Sequence, residues 1–156
     1  MRTFHGIADL ERAVGTHLGY SAWHEITQER INTFADATGD HQWIHVDPER
    51  AAASPFGGTI AHGFLTLSLI PHLTAQALAF PPARMTVNYG LNRVRFTAPV
   101  RAGSRVRARF LLRALEAIPG GTQVTLDVTI EREGSDKPAC VAEVVWRRYE
   151  DEGRTG

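Results

Sequence analysis

Beyond Pro82 the chain alternates apolar and polar residues with a period of two. In "SRVRARFLLR", Val106, Ala108, Phe110 and Leu112 stand against Arg105, Arg107 and Arg109. In "TQVTLDVTIERE", Val124, Leu126, Val128 and Ile130 stand against Thr125, Asp127, Thr129 and Glu131. Successive side chains of a strand point to opposite faces, so each segment is predicted as a strand with one buried face. "RMTVNYGLNRVRF" and "ACVAEVVWRRY" extend the series, and "TAPVRAG", Gly120-Gly121 and "EGSDKP" supply the turns. With a first strand in "SAWHEI", about five antiparallel strands are expected.

The first half keeps a helical period. Ile31, Phe34, Ala35 and Thr38 share a face of "QERINTFADAT"; Thr27 stands at the N-cap and Gly39 where a helix ends in a left-handed residue. Asp47, Pro48 and Glu49 open a second, short helix through "PERAAA", which leaves Asp40 to Val46 as a tight connection. After the turn "SPFGGT", the run from Ile60 to Phe80 is apolar nearly all round and predicts one long helix enclosed by protein. Such a helix and a sheet with one apolar face bury each other as two layers, an α+β fold. A single domain over 1–156 is expected, with its core over residues 20–149 and a polar, fraying tail at 150–156. A chain of 156 residues buries roughly two-thirds of its unfolded surface, enough for a core without cross-links.

Charge narrows the partners. Seventeen basic residues balance 17 acidic ones, so no overall field attracts nucleic acid or an anionic membrane. The one cysteine, Cys140, lies in the apolar run "ACVAEVVW" and reads as a buried thiol in a reducing compartment. "MRTFHGIADLERAV" lacks the apolar stretch of a signal peptide, and Pro71 and His72 interrupt the longest apolar run. A soluble, cytoplasmic protein is the expectation.

The candidate chemistry lies in "FADATGDHQWIHVDPERAAASPFGGTIAHGF". Asp40 and His45, close together on a short connection, can hold a water between them, one taking its proton while the other orients it. In isolation the pair reads equally as a turn-capping Asp beside a packed His. The context adds Gly63 at the start of the apolar helix, where free N–H groups and the helix dipole favour a carbonyl oxygen gaining charge. His62 could be read as the base, but it is expected to hydrogen-bond nearby backbone or the preceding loop, and Ser68 to point its hydroxyl to the interior or a pocket; with Gly63 these two are the candidate oxyanion and substrate-binding residues. A metal site from Asp40, His41, His45 and Asp47 is disfavoured, because the i, i+4 zinc spacing requires a helix where a loop is predicted. Ser68 in "TLSLI" lacks the Gly-x-Ser-x-Gly elbow of a serine hydrolase. Arg93, Arg95, Arg101, Arg105, Arg107 and Arg109 read as a solvated face, some of them available to ligand phosphates.

The stretch "FADATGDHQWIHVDPERAAASPFGGTIAHGFLTLSL" resembles the hydratase motif of MaoC-like proteins, the (R)-specific enoyl-CoA hydratase family. An Asp, four intervening residues, a His, then Asp-Pro and later a His-Gly pair are all present, and the likeness runs from about Ser21 to Tyr149. The resemblance implies a hotdog fold, a long central helix wrapped by an antiparallel sheet, in a homodimer. It implies reversible syn addition of water to a trans-2-enoyl-CoA thioester, giving the (R)-3-hydroxyacyl thioester without metal or other cofactor. On that likeness Asp40 and His45 activate the water, the Gly63 N–H polarises the thioester carbonyl, and Ser68 helps support the site. The coenzyme A groove would be shaped partly by the partner subunit; no Arg is assigned to its phosphates, and His41 and Trp43 fall outside the pattern. Two other readings compete. A hotdog thioesterase needs a carboxylate on the central helix, and Ile60 to Phe80 contains neither Asp nor Glu. A non-catalytic or partner-dependent acyl-thioester-binding subunit of a dehydratase is expected to lose the Asp or the His, and both are kept.

Overall fold

In the computed structural model, residues 1–150 are described; the expected tail, from residue 151 on, lies outside them. The four long alternating segments form strands β5 (Met85–Phe96), β6 (Arg105–Ile118), β7 (Gly121–Arg132) and β8 (Cys140–Tyr149). Two short strands, β2 (His17–Tyr20) and β3 (His24–Glu25), both pair with β6, His17 opposite Leu111 and His24 opposite Val106. The sheet therefore has six strands, all antiparallel, in the order β2-β6-β7-β8-β5 with β3 beside β6. The expected first strand in "SAWHEI" is only His24–Glu25, and its companion β2 lies upstream, where a four-residue run carries little periodic signal. A small parallel pair, β1 (Arg2–Thr3) with β4 (Leu78–Ala79), ties the N-terminus to the end of the helical layer.

Helix α1 (Ile7–Ala13) buries Leu10 and Ala13, so with Phe4 and Leu18 the core takes in residues upstream of Ser21. Helix α2 (Gln28–Thr38) starts as its sequence predicts, with the Arg30 N–H donating to Thr27 Oγ1 at 3.1 Å, and ends at Gly39 with φ 77°. Helix α4 (Pro48–Ala52) is capped by Asp47, whose Oδ1 accepts from the Arg50 N–H at 3.0 Å. Between them the chain is not a plain connection: Trp43–Val46 makes one helical turn, α3, that no capping residue announces.

The apolar run yields two helices, α5 (Gly63–Ser68) and α6 (Ile70–Ala77), instead of one long helix over Ile60 to Phe80. Pro71 is the cause: it has no N–H to give the preceding turn, and its ring crowds the carbonyl four residues back. The pair is also not enclosed on all sides. Leu65, Leu69, Ile70, Leu73 and Ala77 pack under the sheet against Val106, Phe110, Leu126, Ile130 and Val144, whereas Phe64, Ser68, Pro71 and Ala75 are exposed. Strand β5 is nearly as open. Among the described residues it bonds only to β8, and Met85, Val87, Tyr89, Leu91 and Phe96 are each more than 40% exposed.

Candidate active site

The site begins where α2 ends. Gly39 returns its N–H to the Ala35 carbonyl at 2.8 Å in a left-handed conformation, so the chain leaves the helix axis and Asp40 emerges at once. The single turn α3 then carries His45 inward until 7% of it remains exposed. The Ile60 carbonyl lies 2.6 Å from His45 Nδ1. A carbonyl oxygen only accepts, so Nδ1 carries the proton and Nε2 keeps its lone pair. Burial lowers the His45 pKa from its ordinary 6.5, and neighbouring His62 acts in the same direction, while the Ile60 bond and Asp40 oppose them. The ring is a neutral base at pH 7.

His62 sits 3% exposed at the N-cap of α5, its ring stacked on that of His45 with centroids 3.8 Å apart. Its Nε2 lies 2.9 Å from the Asp40 carbonyl, so it donates there, the bond to the preceding loop expected from its sequence context. Its Nδ1 is buried without a hydrogen-bond partner among the described residues. Asp40 is half exposed, with Oδ2 4.0 Å from His62 Nε2. Asp40, His45 and His62 thus bring one polar atom each within 4.8 Å of one another, a wet carboxylate beside a dry imidazole. Among the described residues, these three form the group whose ligand atoms could approach a metal ion together; His41 is drawn away to Asp36, 2.8 Å from its Nε2.

Gly63 is the first residue of α5, so its N–H has no intrahelical acceptor. It shares with His45 a cleft of about 270 Å³ also lined by Ile60, Thr66, Phe96 and Thr97. A Cβ at residue 63 would meet the Phe96 ring at 3.0 Å, so glycine lets the ring lie against the helix start. Ser68 is not brought to this cluster. Its hydroxyl donates back to the Phe64 carbonyl at 2.6 Å, and it lines a separate cleft with Asn88, Tyr89, Leu91 and Trp146.

A concavity of about 630 Å³ lies on the outer face of the sheet, and Asp40, His45 and Gly63 do not line it. Its charges are partly ion-paired, Arg113 with Asp127 at 2.9 Å, and two of the alternating arginines are matched too, Arg105 with Glu133 and Arg107 with Glu131. That pattern suits a solvated face. The site residues missed by sequence reasoning are Gln28 and Thr59, whose side chains meet behind His45. Nothing local marks a Gln at a helix start or a Thr in a turn as part of a site.

Known proteins extend this picture. The MaoC like domain family matches residues 9–133. The chain is 60% identical over 148 residues to 3-hydroxyacyl-thioester dehydratase Z of Mycobacterium tuberculosis, covering 94% of this chain and 98% of that protein. It is 50% identical over 141 residues to nodulation protein N of Rhizobium leguminosarum bv. viciae, covering 87% and 86% of the two chains. Among solved structures, the (R)-hydratase from A. caviae superposes with a TM-score of 0.70 at 27% identity, over 85% of this chain and 94% of that one. A layer of helices under an antiparallel sheet, an Asp and a His at the head of those helices, and this breadth of likeness lead to one conclusion: the chain belongs to the MaoC-like dehydratase family, hydro-lyases of the hotdog fold.

Proposed function

We propose that the protein is an (R)-specific enoyl-CoA hydratase, adding water reversibly and with syn geometry to trans-2-enoyl-CoA. The observation that carries this is the neutral, buried His45 with its Nε2 lone pair free, beside the solvated carboxylate of Asp40 and in one cleft with Gly63. In the hydration direction Asp40 and His45 hold a water, and one of them takes its proton as the oxygen bonds to C3. The thioester carbonyl gains the displaced charge and is stabilised by the Gly63 N–H. The α-carbon then receives a proton from the same pair, so atoms and charge balance. The reaction is redox-neutral, so it calls for no redox cofactor, and the proposal gives the work of polarising the carbonyl to the Gly63 N–H in place of a metal. The name of the Mycobacterium tuberculosis relative, a dehydratase of 3-hydroxyacyl thioesters, describes the reverse direction of such a reaction.

The proposal includes a homodimer built on β5. A long edge strand with apolar side chains on show is an aggregation hazard unless something covers it, and a twofold axis beside it pairs the strand with its own copy and closes the assembly. Burial of Cys140, whose thiol is pushed up to about 11, fits a reducing cytosol. No helix among the described residues is long and apolar enough to cross a membrane.

The test follows loss of crotonyl-CoA absorbance with the native protein and with Asp40→Asn and His45→Gln, with product chirality read by an (R)-specific dehydrogenase. The expected result is (R) product and a fall in kcat of about 10²–10⁴ in each folded variant. Absence of turnover on short and long enoyl thioesters, with no thiol released, would instead favour the partner-dependent subunit, since the β5 edge fits a related chain as well as a second copy.

A further inference from the structure

The one-turn helix α3 carries His45, and a single turn has no stability of its own. The Asp47 N–H closes the turn on the Trp43 carbonyl at 3.1 Å, but the later carbonyls of α3 find no donor within the turn, and an unmet buried carbonyl is costly. One of them, that of His45, is met from a distant element: Gln28 Nε2, at the first turn of α2, donates to it at 2.7 Å. The same Nε2 donates to Asn32 Oδ1 at 2.9 Å. Only the nitrogen of the amide can donate, so the orientation of Gln28 is fixed and its Oε1 is left to accept, which it does from the Thr59 hydroxyl. Thr59 is 4% exposed and precedes Ile60, whose carbonyl takes the His45 ring proton and whose N–H donates to the Ile44 carbonyl at 3.0 Å. The bonds close a ring from Gln28 to the His45 backbone, through its imidazole to Ile60, and through Thr59 back to Gln28.

We propose that Gln28, seated on Thr59, is a positioning residue that fixes the backbone and ring of His45 toward the cleft. This inference rests on the hydratase reading above and deepens it. Glutamine suits the place because both donors and its acceptor are used and it brings no charge near the imidazole, whose titratable neighbours are Asp40 and His62. A residue that holds a base within a fraction of an ångström governs the chemical step more than substrate binding.

Gln28→Ala and Thr59→Val are compared with Thr27→Ala, which weakens the same end of α2 by removing its N-cap bond but touches neither His45 nor Thr59. Two quantities are read: kcat and KM on crotonyl-CoA, and the His45 ring titration by NMR of ¹⁵N-histidine protein. For Gln28→Ala and Thr59→Val the expected result is a kcat lower by about tenfold to a hundredfold with KM within about twofold. The His45 titration should rise toward 6.5 as the loosened ring gains water, while Thr27→Ala keeps both native values. If the two test variants keep native kcat and titration and merely lose stability as Thr27→Ala does, the inference is overturned. Should Gln28→Ala fail to fold, Thr59→Val decides. If the native protein hydrates nothing, the functional reading fails, and the ring titration still judges the brace.

Discussion

His45 and Asp40 differ in one physical respect that assigns their work: one is dry and the other wet. Burial holds the imidazole below 6.5, so its base form persists through neutrality. The kcat/KM of the native protein is therefore expected to stay flat from pH 8 down to about 6.5 and to fall only below that value, a limb at or above 6.5 contradicting the dry site. Stability follows the same proton. Below about 6.5 the unfolded chain binds a proton that folded His45 refuses, so this residue subtracts stability as pH falls, until the folded pKa is reached. Urea midpoints at pH 7.5 and 5.5, compared between the native protein and His45→Gln, isolate that contribution. One residue upstream of Asp40, Gly39 has φ 77°, which costs a residue with a Cβ about 1–2 kcal/mol. Gly39→Ala is expected to lose that much in denaturant titration and, by displacing Asp40, to lower kcat as well.

Among the elements, the broken helix and the sheet depend on each other most. Leu73 in α6 is fully buried, in the cluster that holds Phe110 of β6 and Leu126 of β7. Leu73→Ala removes that packing and leaves a cavity, so a loss of about 2–5 kcal/mol by urea unfolding is expected. The same element shows why Pro71 is tolerated. It sits in the first turn of α6, where the missing N–H would have had no intrahelical acceptor. The break at Leu69 thus divides the layer into α5, whose N-terminus faces the site, and α6, which anchors the core.

For the whole molecule, the open face of α5 and α6 and the open edge of β5 lie together: one cleft is lined by Leu67, Ser68 and Pro71 from the helices and by Asn88, Tyr89 and Leu91 from the strand. In the homodimer proposed above, a second copy set on this edge would cover both at once. Leu91→Asp, which places a charge where Leu91 is now 46% exposed, is expected to halve the mass seen by sedimentation velocity. An unchanged mass would move the subunit contact elsewhere. Because the cleft meets α5 at Leu67 and Ser68, loss of the dimer should also lower turnover.

The sequence by itself determined what neighbours along the chain can settle. Period-two alternation marked β6, β7 and β8, Thr27 and Gly39 bounded α2, and Asp47 opened α4, because strand alternation and capping act over a few residues. The Asp40 and His45 pair was legible for the same reason, as a spacing within one connection. Tertiary structure decided the rest. The turn α3 is held by bonds that Gln28 and Ile60, distant in sequence, donate to its carbonyls. The His45 tautomer was set by a carbonyl 15 residues away. His62 makes the bond to the preceding loop that its sequence context suggested and in addition stacks on His45, while Ser68 turns its hydroxyl back to its own helix. An apolar run shows that a segment seeks burial, but whether its own sheet or a second chain covers each face is fixed only when the layers meet.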